Sequence, residues 1–142
     1  MRLRKDAKVE LIKGVPLFSE CSRRELEQIA SIADEIDLPQ ARELTHEGGP
    51  GREFFVLIEG DASVRQGDQE VNRLGPGDFF GEMSVLDGGP RTADVVADKD
   101  TECLTLVDWD IRPVLMQNAG LTYKMLLDVV RRYRGSGAKP SD

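Results

Sequence analysis

Between Asp34 and Asp108 the chain is cut into short apolar stretches by recurring Gly, Asp and Pro, and this punctuation constrains the fold more than any other feature. Turns are predicted at Gly48-Gly49-Pro50-Gly51, Glu59-Gly60-Asp61, Gly67-Asp68 and Gly75-Pro76-Gly77-Asp78. They separate strands predicted near 34–38, 42–46, 53–59, 62–66, 70–74, 78–80, 92–97 and 102–107. Eight short strands at this spacing predict an antiparallel β-roll, a jelly-roll barrel that leaves no long open edge. The class is mainly β with flanking helices.

The flanks change period. Val9, Leu11 and Ile12, then Leu26, Ile29, Ala30 and Ala33, recur at helical spacing. Gly14-Val15-Pro16-Leu17-Phe18 breaks that region in two, and Ser22 with Glu25 forms a capping-box pattern opening the second helix. Beyond the strands, helical spacing returns over 109–118 and 121–134, giving one or two C-terminal helices. The expected organisation is an N-terminal helical segment over 1–33 packing on the barrel, the barrel over 34–108, C-terminal helices over 109–134 and a polar, flexible tail over 135–142. Trp109 is expected to anchor the helix after the barrel. His46 reads as a strand-end residue.

Charge and composition exclude several functions. The chain has 142 residues and a net charge of −7, unsuited to general nucleic-acid binding. Residues 34–110 hold 6 Lys/Arg against 19 Asp/Glu, while both flanks are mildly basic. An anionic ligand entering the centre must therefore be held by a local device, because the average field repels it. One histidine and two distant cysteines, Cys21 and Cys103, leave no multi-histidine centre, no HExxH and no CxxC, so no metal is expected and the thiols read as free. No GxSxG is present, and no catalytic constellation emerges. No window approaches the roughly 20 apolar residues of a membrane span, and no apolar run follows the basic N-terminus. A cytoplasmic location, away from membranes, is expected.

Barrel packing does not explain residues 79–97. Here Phe79-Phe80-Gly81-Glu82-Met83-Ser84-Val85-Leu86-Asp87-Gly88-Gly89-Pro90-Arg91-Thr92-Ala93 interrupts two strand-like ends. Met83-Ser84-Val85-Leu86 fits a single helical turn with outward N–H donors. Arg91 can fork two N–H groups onto a phosphate, Thr92 can add a hydroxyl, and Glu82 can accept from a sugar hydroxyl. The bland reading is that Arg91 merely neutralises Asp87, Asp94 or Glu82.

The ordered set resembles the phosphate-binding cassette of the cyclic nucleotide-binding domain family. Phe80-Gly81-Glu82-Met83-Ser84-Val85, five residues, then Arg91-Thr92-Ala93-Asp94-Val95 fills every position of the family pattern. Glu47-Gly48, Phe54 to Gly60 and Val15-Pro16-Leu17-Phe18 are similar to the family's barrel and entry motifs. The resemblance spans about residues 8–133. It implies that Arg91 pairs with the exocyclic oxygens of a cyclic phosphate and that Glu82 accepts from the ribose 2′-hydroxyl. It further implies that backbone groups at Gly81, Met83, Ser84, Thr92 and Ala93 close the cradle. Tyr123, Met125 and Tyr133 are the candidates for contact with the base.

The function implied is a stand-alone sensor that binds 3′,5′-cyclic AMP, with cGMP the other ligand in play, and transmits occupancy through its C-terminal helix. Its partner would be an unidentified protein effector, or a second copy in a homodimer through that helix. No enzyme activity is expected, and the nine residues after Tyr133 are too few for a helix-turn-helix, so no DNA binding is expected. The rival reading is an interaction or dimerisation module with an empty pocket, independent of cyclic nucleotide.

Overall fold

The structure, a computed structural model, describes residues 3–81 and 84–136. Among these residues five α-helices, α1 (Lys5–Lys13), α2 (Arg23–Ser31), α3 (Ser84–Asp87), α4 (Asp108–Gln117) and α5 (Ala119–Ser136), and a 3-10 turn at Pro16–Phe18 accompany eight strands. The strands are β1 (Asp34–Leu38), β2 (Glu43–Thr45), β3 (Glu53–Glu59), β4 (Ala62–Gln66), β5 (Gln69–Leu74), β6 (Phe79–Phe80), β7 (Asp94–Ala97) and β8 (Thr101–Val107). They form two antiparallel four-stranded sheets, ordered β1-β8-β3-β6 and β2-β7-β4-β5. The fold is a jelly roll. No hydrogen-bonded strand pair joins the two sheets among the described residues, which form the two layers of the roll.

The period of two along β3 and β8 serves two cores at once. Phe55 and Leu57 of β3 and Cys103 of β8 pack against Ala62, Leu74, Val95 and Ala97 of the second sheet. Phe54, Val56, Leu104 and Leu106, one residue out of phase, pack against the helices through Ile12, Phe18, Ile29 and Leu121. Both faces of these central strands are covered, which is why the segment Phe54-Phe55-Val56-Leu57-Ile58 is continuously apolar. In contrast β5 is exposed over Gln69–Arg73, and only Leu74 is buried. At the β3–β4 turn, Gly60 has φ +115° and a Cβ there would lie 2.7 Å from Thr101 Cα, so the turn is seated directly on the start of β8.

The helices dock through local signals. The Ser22 hydroxyl accepts the Glu25 N–H (3.2 Å) and Glu25 Oε1 accepts the Ser22 N–H (2.8 Å), completing the capping box of α2. The same carboxylate receives Lys124 Nζ from α5 at 2.7 Å. Burial pushes the Glu25 carboxyl up, but hydrogen bonds from Lys124 and Ser22 outweigh it and leave it below the usual carboxylate range. Arg131 of α5 pairs with Glu20, adding a second tie to the N-terminal region.

Two expectations need correction. Trp109 does not anchor α4: it is 62% exposed, and Ile111, on the opposite side of the helix, is buried in its place. The helix expected to end at 134 runs to Ser136, taking in Gly135 from the expected tail, since a docked helix absorbs the ~1 kcal/mol penalty of one glycine. Residues 137–142 lie outside the described residues. Among the described residues no helix is long and apolar enough to cross a membrane. Both cysteines are free; burial pushes the Cys21 thiol up to about 11, with the Glu25 charge adding to it, and the Cys103 thiol to about 12.

Candidate functional site

Two Gly-Gly-Pro tripeptides, Gly48-Gly49-Pro50 and Gly88-Gly89-Pro90, face each other and build the site. The Gly48 N–H donates to the Arg91 carbonyl and the Arg91 N–H donates to the Gly49 carbonyl, each at 2.8 Å, with Pro50 and Pro90 bridged alongside. Both backbone groups of Arg91 are thereby clamped by a loop more than forty positions away. The clamp aims the side chain inward, where Arg91 is only 8% exposed.

The guanidinium donates through Nη2 to the Glu53 carbonyl oxygen. Among the described residues no carboxylate forms an ion pair with it. Asp87 Oδ1 instead accepts the Gly89 N–H (2.8 Å), and Asp94 Oδ1 accepts the Glu47 N–H (2.6 Å). Two of the three carboxylates that the bland reading offered to Arg91 are therefore engaged elsewhere; the third, Glu82, lies outside the described residues. Burial lowers the Arg91 pKa while the Glu53 charge pulls the other way, and an arginine stays cationic throughout. A buried cation without a carboxylate is unfavourable unless an anion joins it.

A cleft of about 150 Å³ opens at this guanidinium. Gly81, Ser84, Arg91, Thr92 and Ala93 line it, together with Thr45, Val64 and Phe80 from neighbouring strands. Gly81 has φ +83°, and a Cβ there would collide with Arg91 Nη1 and lie 2.8 Å from the Glu53 carbonyl oxygen. Only glycine lets the backbone pass this close to the guanidinium. The Thr92 and Ala93 carbonyls are already engaged, by Gln66 Nε2 (3.2 Å) and Thr45 Oγ1 (3.1 Å). A larger recess of about 460 Å³ is lined by Asp37, Glu59, Asp100 and Glu102, a charge that repels an anion. Chemistry, not volume, selects the Arg91 cleft.

Of the seven residues predicted for the cradle, five line this one cleft, while Glu82 and Met83 lie outside the described residues. None of the three candidates for base contact lines it: Tyr123 and Tyr133 are exposed on α5, and Met125 is buried in the helix-side core. Sequence reasoning missed Thr45, Val64 and the Gly48-Gly49 clamp. The repeated Gly-Gly-Pro was the signal that could have found the clamp.

The match to known proteins agrees with this geometry. The family model described as the cyclic nucleotide-binding domain matches residues 35–118, more than half of the chain. The chain belongs to the cyclic nucleotide-binding domain family. Domains of this family are regulatory rather than catalytic. A "cAMP-dependent protein kinase regulatory subunit" of Hypocrea atroviridis is 33% identical over 95 residues, covering 67% of this chain and 21% of that protein. The "Cyclic AMP receptor protein" of Thermus thermophilus is 31% identical over 128 residues, covering 87% of this chain and 59% of that protein. The chain thus spans about a fifth of the fungal subunit. Among solved structures, the N-terminal domain of a transcriptional regulator from Streptomyces coelicolor superposes with a TM-score of 0.82 at 28% identity, covering 89% of this chain and 94% of that one.

Proposed function

We propose that this cyclic nucleotide-binding domain takes 3′,5′-cyclic AMP into the Arg91 cleft and reports its occupancy through α5, as a cytoplasmic sensor rather than an enzyme. The observation that carries the reading is the buried Arg91 guanidinium without a carboxylate partner among the described residues, held against a glycine that leaves it uncovered. Arg91 would pair with the phosphate oxygens, Glu82 would accept from the 2′-hydroxyl, and backbone groups of Gly81, Met83, Ser84, Thr92 and Ala93 would close around them. The names of the kinase subunit and the receptor protein favour cAMP; Thr92 is also compatible with the amino group of guanine, which keeps cGMP as the competing ligand.

The cleft is smaller than the roughly 300–1,000 Å³ of pockets that enclose a whole small ligand. It suits the phosphate and sugar end, leaving the base at its mouth for a residue of α5 to cover. A route for that movement exists. Ser84 of α3 lines the cleft, and Leu86, two residues on, borders an apolar cavity of about 270 Å³ shared with Leu17, Leu115, Met125, Leu126 and Val129. A change at the phosphate thus reaches the α4–α5 packing within one helical turn. Tyr123, Leu126, Val130 and Tyr133 form an exposed apolar stripe along the outer face of α5, the surface for an effector or a second copy.

Calorimetric titration with cAMP, cGMP and 5′-AMP tests the reading. Saturable binding of a cyclic nucleotide, absent for 5′-AMP and weakened by about 2–5 kcal/mol in Arg91→Ala, is the expected result. Folded protein that shows no heat with any of the three at several temperatures overturns it, and leaves the α5 stripe as the working surface of an interaction module.

A further inference from the structure

The only histidine of the chain stands beside this cleft in an arrangement that a regular strand would not produce. Glu43 and His46 are three residues apart, a spacing that places side chains on opposite faces of an extended strand. The pairing of β2 with β7 shifts register between Glu43 and Thr45, and this irregularity brings the two side chains together. His46 Nδ1 lies 3.2 Å from Glu43 Oε1 and 3.3 Å from Asp94 Oδ1. Asp94, the first residue of β7, is oriented by the Glu47 N–H at 2.6 Å. The three donor atoms all fall within 4.8 Å of one another.

We propose that Glu43, His46 and Asp94 form a binding site for a divalent transition-metal ion, with Zn²⁺ the best match. Ligand atoms about 2.0–2.2 Å from a tetrahedral zinc are separated by about 3.3–3.6 Å, so both nitrogen–oxygen edges are already close to the required length. The remaining carboxylate–carboxylate edge can close by rotation of the exposed Glu43 side chain. One imidazole and two carboxylates suit zinc and its first-row neighbours, whereas calcium and magnesium take oxygen sets. The ordinary alternative is an imidazolium paired with its neighbours. Yet at 3.2–3.3 Å no hydrogen bond of acceptable angle links His46 to either carboxylate among the described residues, and one N–H cannot serve two oxygens equally. An ion can serve all three donors. The surrounding segment, with 19 acidic residues against 6 basic ones, favours its approach. The ion would tie the end of β2 to the start of β7, the two segments that bring Thr45 and Ala93 to the cleft.

The test is calorimetric titration of chelator-stripped full chain with ZnCl₂, followed in parallel by the NMR signal of its single imidazole. One equivalent of bound Zn²⁺ is expected, with a shift of that signal and affinity at least about tenfold weaker in His46→Ala and Asp94→Asn. Cys21→Ser, which removes the half-buried thiol as a rival ligand, should leave binding unchanged. His46→Gln, checked by circular dichroism, guards against a folding defect. Absence of saturable binding, equal affinity in His46→Ala, or loss of binding in Cys21→Ser alone would each overturn the site.

Discussion

The Arg91 cleft and the Met125 cavity lie on either side of the four-residue helix α3, and they are built from opposite materials. The cleft holds a buried cation, a glycine under steric constraint and backbone carbonyls that are already engaged. The cavity is walled by leucines, a valine and a methionine with one threonine. Neither is stable for the other's reason: among the described residues the Arg91 cation in the cleft has no carboxylate partner, whereas the cavity retains unfilled apolar volume. A ligand answers the first demand directly. On the proposed sensor reading it would reach the second only by moving Leu86, with one short helix as the lever between them.

Substitutions on each side should separate these terms. The largest effect is expected on the apolar side. Leu121→Ala, at a fully buried position in the helix-side core, should lower unfolding free energy by about 2–5 kcal/mol in urea titration, with nucleotide affinity preserved while the protein stays folded. If affinity falls in parallel, the two regions are not separable. Gly81→Ala should do the reverse. It should cost about 1–2 kcal/mol of stability for the positive φ, while displacing Arg91 and removing most nucleotide binding in calorimetry. Retained affinity would show that Arg91 is not the anchor.

A third experiment probes the core between the sheets by pH. The folded Cys103 thiol is pushed up to about 12 by burial, above its ordinary value near 9, so the unfolded chain loses its proton first. This contribution is complete below about pH 9 and is lost as pH rises toward 12, at up to about 1.4 kcal/mol per unit. Urea midpoints measured between pH 8 and 10.5 should fall, and Cys103→Ala should flatten the decline. The smallest change in stability, below about 1 kcal/mol, is expected for Leu86→Ala, because this side chain is already 38% exposed. Its effect should instead appear in how far bound nucleotide alters the proteolytic accessibility of α5. An unchanged response would remove α3 as the link.

Local patterns were legible because their causes are local. The Ser22–Glu25 cap, the positions of the strands to within a residue or two and the helical turn at Ser84 depend on residues within a few positions of one another. The stripe Leu121, Met125, Leu126, Val129 and Val130 was visible as apolar, but its division was not. Leu121 and Met125 turn inward while Leu126 and Val130 face solvent, and docking decides that, not periodicity. The same limit hid the clamp on Arg91. The residues that hold its backbone belong to a loop whose partner is chosen only when β2 and β7 pair. Trp109 shows the opposite failure, a large aromatic credited with burial on chemistry alone.

The seating of Gly60 on Thr101 has a consequence for how the chain finds its native alignment. Along β3 a slip of one residue would exchange Phe54 and Val56 for Phe55 and Leu57, sets so alike that polarity barely distinguishes the wrong pairing from the right one. The turn does distinguish them, because only one alignment with β8 places a residue lacking a side chain against Thr101. Gly60 therefore works as an index mark for the central sheet. A side chain there would be felt less as lost packing than as a chain that assembles its strands out of step.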